Sequence, residues 1–186
     1  MQTYTQFAMR STGPVQTATE TAAQDLLLVL DNFEHLLEGA ALVSDIVQTA
    51  PKVSVLVTSR ERLNLSGETV YLLEGLPFPP PEHQDDVLQY DAVQLFVQSA
   101  RRAQPHFSLT EIIDVARICQ LVQGMPLALD LAAAWVSSLS ASEIADEIGR
   151  SLNFLQTDQR DMPERLRSIR AVFESSWRRL SADEQI

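Results

Sequence analysis

The chain has 186 residues, of which 45% are hydrophobic and 21% charged, and its formal net charge is −11. This composition is typical of a globular protein with one ordinary domain or two small ones, and it excludes a disordered or fibrous chain. The acidic balance argues against nucleic-acid binding, which depends on neutralising phosphates, so DNA is not an expected partner.

Neither a membrane nor an oxidising compartment is expected for this chain. The longest apolar run, Leu26–Leu30, is far shorter than the ~20 residues that a membrane-spanning helix needs. The first residues show no signal-peptide pattern. The single cysteine, Cys119, excludes an internal disulfide. We therefore expect a cytoplasmic protein without a membrane partner.

The first part of the chain predicts alternating strands and helices. Residues 1–24 are rich in Thr and Gln and lack a clear period, which indicates a poorly ordered segment. Leu26–Leu30 is apolar on both faces, which is typical of a strand buried in a parallel sheet. A helix over Glu34–Thr49 follows, and Val53–Val57 and Thr69–Leu73 predict two more strands. These elements form a βαβ unit with parallel strands. The apolar stripe of the predicted helix comprises Leu36, Leu37, Ala40, Val43 and Val47.

The remainder of the chain predicts helices after a stiff, proline-rich connector at residues 76–81. Asp91–Ala103 has a helical pattern, and Ser108 with Glu111 predicts a capping box for the next helix. We place a domain boundary near residue 80. The apolar face of the second helix comprises Ile112, Val115, Cys119 and Val122.

Glycine and proline positions predict where the later helices end and begin. Gly124 is the expected C-terminal stop, and Pro126 suits the first position of a helix. Residues 127–139 are apolar on nearly every side, as in a core helix. A second capping box is predicted at Ser140 and Glu143, a third at Ser181–Glu184, and a last long helix from Pro163. The helix that follows Ser140 has its apolar positions at Ile144, Ile148 and Leu152. The helix from Pro163 has them at Leu166, Ile169, Phe173 and Trp177.

Polar side chains follow the first two predicted strands at the edge where open α/β sheets bind their ligands. Asp31 and Asn32 follow the first strand, and Thr58, Ser59 and Arg60 follow the second. A carboxylate near a hydroxyl and an arginine can hold Mg²⁺ and a phosphate. From spacing alone, structural roles explain these residues better than ligand binding does, because a strand-end Asp often caps a helix.

Arg60 has two possible surface partners in its neighbourhood, Glu34 and Glu61. Spacing alone therefore leaves a structural ion pair open beside a phosphate contact. Asp31, Glu34 and His35 lack the spacing of a metalloprotease motif, and we expect His35 to be a solvated helix residue.

Four segments, in order, resemble the NB-ARC/STAND regulatory ATPases found in LuxR-type and SARP-type bacterial transcriptional regulators. Residues 27–36, Leu-Leu-Val-Leu-Asp-Asn-Phe-Glu-His-Leu, look like the Walker B segment. Residues 55–60, Val-Leu-Val-Thr-Ser-Arg, look like the sensor 1 strand. Residues 124–129, Gly-Met-Pro-Leu-Ala-Leu, resemble the motif of the helical subdomain, and residues 167–177 resemble the segment leading into the winged helix.

This resemblance implies a role for each matching residue in binding ATP or ADP with Mg²⁺. Asp31 would coordinate the magnesium of the nucleotide. Asp31 and Glu34 would be the catalytic residues, and Glu34 would polarise a water, since Asn32 stands where many relatives carry a second acid. Arg60 would contact the terminal phosphate and sense its presence.

The resemblance implies four further cofactor-binding residues. Thr58 and Ser59 would accompany Arg60 at the phosphate end, and Pro126 with Leu127 would pack near the adenine and ribose.

The family's phosphate-binding loop, Gly-x-x-x-x-Gly-Lys-Ser/Thr, has no counterpart in the sequence. Lys52 cannot replace its lysine, because it follows Ala50-Pro51 and no glycine-rich loop precedes it. The family's winged-helix histidine would lie beyond Ile186. We therefore expect the chain alone to be inactive as an ATPase. Without the strand of that loop, the sheet would have a gap of ~10 Å and open edges that favour self-association.

The expected fold is α/β, a partial P-loop NTPase with a parallel βαβ sheet, followed by an all-helical subdomain. Its expected parts are an N-terminal segment (1–24), a partial nucleotide-binding domain (25–80), a helical ARC1-like subdomain (81–160) and the start of a winged helix (161–186). The favoured hypothesis is that the chain is a fragment of a STAND-type ATP/ADP switch in transcriptional regulation. Its expected partners are a nucleotide and either other domains of a larger regulator or a second copy of the chain. The alternative is a nucleotide-independent protein-interaction module.

Three other features favour structural roles over chemistry. Cys119 lies on an apolar helix face, which indicates an inert core thiol. Asp130 lies inside an apolar helix, which indicates a hydrogen bond to a neighbouring helix end. A local arginine excess could contact DNA, although a solvated helix face explains it better. These arginines stand at positions 160, 165, 167, 170, 178 and 179.

Overall fold

A computed structural model of the chain describes residues 25–81, 86–108, 111–157, 163 and 166–177. The predictions for residues 1–24 and Ser181–Glu184, and for four of the six arginines, lie outside these residues. The chain divides between Leu72 and Leu73 into two compact units. We call the described part of the first the α/β unit (25–72) and that of the second the helical unit (73–177). No described helix has the length and apolar character needed to cross a membrane.

The α/β unit is built on two parallel strands, β1 (Leu26–Leu30) and β2 (Val53–Val57). Leu26 lies opposite Val53, and the register continues to the last residue of each strand. Helix α1 (Ala40–Thr49) lies between the strands in sequence and packs against β2. Both predicted strands and their parallel pairing are confirmed, and the fold is mixed α/β.

The prediction that β1 is buried on both faces is wrong. Side chains alternate between the two faces of a strand, and one face packs on a small core of Phe33, Ala40 and Val43. The other face leaves Leu27 59% exposed and Leu56 54% exposed. Parallel strands are buried only when helices cover both faces, and within this unit α1 covers only one.

The third predicted strand, Thr69–Leu73, is also wrong, because this segment contains no strand. Its side chains are exposed, and Tyr71 reaches 84%. β-branched and aromatic residues favour a strand only where a neighbouring backbone offers hydrogen bonds and a surface to pack on. In the described residues, the sheet has two strands, and this segment pairs with neither of them.

The predicted helix over Glu34–Thr49 begins six residues later than expected, at Ala40. Two 3₁₀ turns, Phe33–His35 and Leu37–Gly39, take the place of its first part. Phe33 is buried and its amide donates to the Thr58 carbonyl oxygen at 2.9 Å, which ties this stretch to β2. As a result Leu36, part of the predicted apolar stripe, is 62% exposed.

The helical unit contains five α-helices in its described residues. They are α2 (Asp91–Ala103), α3 (Ile112–Leu121), α4 (Pro126–Ala133), α5 (Ala141–Arg150) and α6 (Ile169–Trp177). Helix α2 packs mainly on α4, and α3 packs mainly on α5. Short 3₁₀ turns follow α4 at Ala134–Ser137 and α5 at Leu152–Phe154.

One apolar core holds these helices together, and the side chains at its centre are fully buried. The bounds predicted for α2 are confirmed, and so is the capping box of α5, in which the Ser140 amide donates to Glu143 Oε2 at 2.8 Å. On the predicted face of α3, Val115, Cys119 and Val122 are buried, and Ile112 is half-buried against the same core. The largest core side chains are Phe96, Ile118, Leu129, Leu131, Ile144 and Leu155.

The capping box predicted at Ser108 and Glu111 is wrong. Helix α3 begins at Ile112 without a side-chain cap, and the Glu111 carboxylate instead accepts hydrogen bonds from the amides of Ala141 at 2.7 Å and Ser142 at 3.3 Å. The first amides of a helix lack partners within it and carry partial positive charge. Glu111 therefore caps α5 rather than its own helix.

The last helix begins at Ile169 rather than at Pro163. An isolated antiparallel bridge between Gln156 and Ser168 precedes it, which keeps this stretch extended. Leu152 lies past the end of α5 and is 50% exposed, so it is not part of the buried face predicted for that helix.

Candidate functional site

The polar residues that follow the two strands come together because the strands are parallel and in register. Leu30 lies opposite Val57, so the segments that start at Asp31 and Thr58 leave the sheet side by side. Asp31 is exposed, and Thr58 is half-buried. This edge is where open α/β sheets bind ligands.

Thr58 joins the two segments through both its backbone and its side chain. Its amide donates to the Leu30 carbonyl oxygen at 2.9 Å, which prolongs the strand pairing by one residue. Its hydroxyl accepts from the Asn32 amide at 2.9 Å and donates to the Asp31 carboxylate. A hydroxyl is the smallest side-chain group that can accept and donate at once. The carboxylate of Asp31 is thereby held in one orientation at the end of the sheet.

Asp31 does not cap the turn that follows it, because Asn32 occupies the N-cap position. Asn32 has φ 60° and ψ 42°, the left-handed region that asparagine tolerates better than most residues. The turn that follows, Phe33–His35, receives no side-chain cap. An exposed carboxylate beside a hydroxyl fits a Mg²⁺ ion that keeps several waters and takes one or two protein carboxylates.

Glu34 and Arg60 form an ion pair at the same edge of the sheet. Glu34 Oε1 lies 3.6 Å from Arg60 Nε, and the two side chains are 2% and 21% exposed. This pair is one of the two surface pairings that the sequence leaves open for Arg60. The sequence does not predict the burial of Glu34. Glu34 is buried because it lies in a short turn next to the buried Phe33.

Ser59 has a local role in the described structure. Its hydroxyl accepts a hydrogen bond from the Glu61 amide at 3.2 Å, which closes the turn after β2. Ser59 and Arg60 are half-buried.

Pro126 and Leu127 belong to the helical unit, at the start of α4. Pro126 occupies the first turn, as predicted, and Leu127 packs against the helical core. Gly124 precedes them with φ +65°, and a Cβ added there would lie 2.0 Å from the Leu76 carbonyl oxygen. The Leu76 amide donates to the Gly124 carbonyl oxygen at 2.9 Å, so two backbone segments meet directly at this glycine.

The other candidate residues have structural surroundings. Cys119 is fully buried, and burial raises the pKa of its thiol to about 12, which makes it a poor nucleophile. Asp130 accepts from the Ser99 hydroxyl and lies 3.8 Å from Arg102, so it joins α4 to α2. Within the described ranges, no three His, Cys, Asp or Glu side chains form a metal-binding group.

Sequence reasoning found the residues at the strand ends but missed how they are connected. Neither the central position of Thr58 nor the burial of Glu34 was expected. The available signal for the position of Thr58 is a threonine directly after one strand and an aspartate directly after the neighbouring strand. The burial of Glu34 depends on a turn that forms where the sequence predicts a helix.

Comparisons with known proteins relate most of the chain to one segment of longer bacterial proteins. The chain is 35% identical over 164 residues to "Putative HTH-type transcriptional regulator Rv0890c" of Mycobacterium tuberculosis and, equally, to "Putative HTH-type transcriptional regulator Mb0914c" of Mycobacterium bovis. The alignment covers 87% of this chain and 18% of each regulator. The chain is also 38% identical over 122 residues to "Uncharacterized protein Rv0894" of Mycobacterium tuberculosis. That alignment covers 64% of this chain and 28% of the mycobacterial protein.

No family model matches the chain, and no solved structure matches it. The chain spans less than a fifth of the length of the two mycobacterial regulators, at 18%. It is therefore similar, over most of its own length, to a single segment within proteins named as HTH-type transcriptional regulators.

Proposed function

We propose that the chain is part of a nucleotide-dependent switch in a transcriptional regulator, with the partial P-loop NTPase fold of the NB-ARC/STAND ATPases. Two observations support this proposal. The named relatives are transcriptional regulators, and four sequence segments resemble the motifs of these ATPases in the right order.

The observation that carries the proposal is the hydrogen-bond network centred on Thr58. It fixes the Asp31 carboxylate at the carboxyl end of a parallel sheet, exposed and oriented by a neighbouring hydroxyl. A bound Mg²⁺ would neutralise phosphate charge there. Asp31 would contribute a carboxylate ligand, and Arg60, on the adjacent segment, would supply a guanidinium suited to phosphate oxygens.

Hydrolysis by this chain alone is not part of the proposal. Its sequence lacks a glycine-rich phosphate loop, and its only lysine, Lys52, directly precedes β2. A five-residue strand at ~3.3 Å per residue separates Lys52 from the edge that carries Asp31 by ~17 Å. The proposed activity is binding and sensing of ATP or ADP within a longer protein.

A protein-interaction module is the second candidate, and the uncovered face of the sheet favours it. Leu27 and Leu56 both expose apolar side chains on this face. Such a surface is a place for another domain or a second copy to pack. The two candidates differ in one measurable property, which is whether nucleotide binds at the strand ends.

The proposal is tested by titrating the chain with fluorescent ADP and ATP, with and without Mg²⁺. We expect binding in the micromolar range that weakens at least about tenfold in Asp31→Asn, a loss of ~1.4 kcal/mol. Asp45→Asn is the matched control, because it removes the same charge from an exposed position on α1. Arg60→Gln is expected to weaken ATP binding more than ADP binding.

Absence of binding at millimolar nucleotide, with circular dichroism showing a folded chain, would contradict the nucleotide switch and leave the interaction module. Binding that Asp31→Asn and Asp45→Asn weaken equally would show a general charge effect instead of a site.

A further inference from the structure

Glu34 and Arg60 are held in an ion pair whose geometry is poor for so buried a group. The distance of 3.6 Å between Glu34 Oε1 and Arg60 Nε exceeds the 2.7–2.9 Å of a charge-assisted hydrogen bond. A carboxylate and a guanidinium can form two parallel hydrogen bonds, and here Glu34 Oε2 forms no hydrogen bond.

The second carboxylate oxygen of Glu34 adds a cost that the ion pair does not offset. Glu34 Oε2 is buried without a hydrogen-bond partner in the described structure, and the whole side chain is 2% exposed. A buried carboxylate oxygen without a partner carries an uncompensated desolvation cost. Glu34 is therefore retained in this position at a cost to stability that its contact with Arg60 only partly offsets.

We propose that Glu34 competes with phosphate for Arg60, so that the ion pair is the nucleotide-free state of the switch. This inference depends on the proposed nucleotide binding. A terminal phosphate offers Arg60 stronger, bidentate hydrogen bonds than Glu34 does. When Arg60 turns to phosphate, Glu34 loses its counter-ion, and a buried carboxylate without one is strongly unfavourable.

The consequence of this exchange is a movement of the turn Phe33–His35. Glu34 reaches water or a new partner only if this turn opens, because its side chain is almost fully buried. Asn32, the residue before this turn, donates its amide to the Thr58 hydroxyl. Phosphate at Arg60 is thereby coupled to the backbone between β1 and α1. This role differs from the water-polarising role that the family resemblance implies, for which Glu34 would have to reach solvent.

The test compares Mg²⁺–ADP and Mg²⁺–ATP affinity in the wild-type chain, Glu34→Gln and Glu61→Gln. Glutamine keeps the shape of Glu34 and removes its charge, so the competitor is lost and ATP is expected to bind about tenfold more tightly. Glu61→Gln removes the same charge from an exposed neighbour of Arg60 and is expected to leave affinity within twofold of wild type.

The outcomes distinguish failure of the competition for Arg60 from failure of nucleotide binding. Equal affinity of wild type and Glu34→Gln would overturn the competition while leaving nucleotide binding in place. Absence of binding in all three variants would overturn both proposals. A measurement on the wild-type chain avoids dependence on any variant's folding: the NMR resonances of the Arg60 Nε–H group and of the Glu34 carboxyl carbon must both shift on adding Mg²⁺–ATP. A shift of neither during saturable binding would contradict the exchange.

Discussion

At the scale of single residues, Thr58 has the most consequential position in the α/β unit. Its backbone amide and carbonyl continue the strand pairing to Leu30 and Phe33, while its hydroxyl serves Asn32 and Asp31. One side chain thus satisfies the polar groups of a sharp turn and orients an exposed carboxylate. The chemistry proposed for this edge of the sheet depends on both hydrogen bonds of the Thr58 hydroxyl. Valine has the same shape as threonine but would form neither of them.

Cys119 offers a residue-scale test of the helical core. Its thiol is fully buried between α3 and its neighbours, and burial raises the pKa to about 12 from the ordinary value of 9.0. The thiolate is the reactive form, so we expect a disulfide reagent at pH 8 to leave the native chain unlabelled. Addition of denaturant is expected to allow labelling of one thiol per chain, which absorbance of the released chromophore measures.

The same pKa shift predicts a pH dependence of stability. Above about pH 9 the thiol ionises in the unfolded chain but not in the native one, so the unfolded state is favoured as the pH rises towards 12. Below pH 9 this contribution to stability is fully present. The free energy of unfolding is expected to fall by up to about 1.4 kcal/mol per pH unit from this group. Cys119→Ala should show a shallower decline, and identical slopes would contradict the assigned cause.

At the scale of elements, the helical unit depends on a direct contact between two backbone segments. Gly75 and Gly124 face each other across the connector and the turn before α4, and a Cβ on either would lie 2.0–2.1 Å from a carbonyl oxygen. The connector is also held by Gln120, whose amide donates to the Pro79 carbonyl oxygen at 2.8 Å. The glycine of the Gly-Met-Pro segment therefore has a structural reason that is independent of any nucleotide.

Gly124→Ala is expected to destabilise the chain by at least about 2 kcal/mol, because the new Cβ meets backbone and φ is +65°. Gly149→Ala is the matched control. Gly149 lies in α5 with open space around it, so alanine there is expected to raise stability by up to about 1 kcal/mol. Chemical denaturation of the three chains measures both effects. A Gly124→Ala variant as stable as wild type would show that the segments are not in contact.

The elements that could be predicted from sequence are those whose signals are local. The bounds of α2 and the capping box of α5 follow from spacing and from residue types within one helix. The failures share another cause. Thr69–Leu73 lacks a neighbouring strand, the stretch before α1 is bound to Thr58, and Glu111 caps a helix thirty residues away. Each of these depends on contacts between distant parts of the chain.

At the scale of the whole molecule, the uncovered sheet face is the feature that a globular chain least tolerates. Leu27 and Leu56 stand on a two-stranded sheet whose outer edges also lack pairing within the described residues. Apolar faces and open edges both favour association with another chain. The net charge of −11 opposes such association at low salt and less so at high salt.

We therefore expect self-association that increases with protein concentration and with salt, measured by sedimentation velocity. Leu56→Gln is expected to weaken self-association and to raise its dissociation constant at least about fivefold. Leu42→Gln serves as the control, since Leu42 is 63% exposed on α1, away from that face. A monomer at every concentration and salt level would contradict the expectation, as would equal effects of the two variants.

The central claim, that nucleotide binds where the two strands end, is tested most directly by following backbone amide NMR signals during addition of Mg²⁺–ADP. We predict saturable shifts concentrated at Asn32, Phe33 and Thr58, with little change in β1 at Leu26 or Leu27, at the other end of the strands. Signals that stay unchanged to millimolar ADP, or that shift only in the helical unit, would contradict the claim.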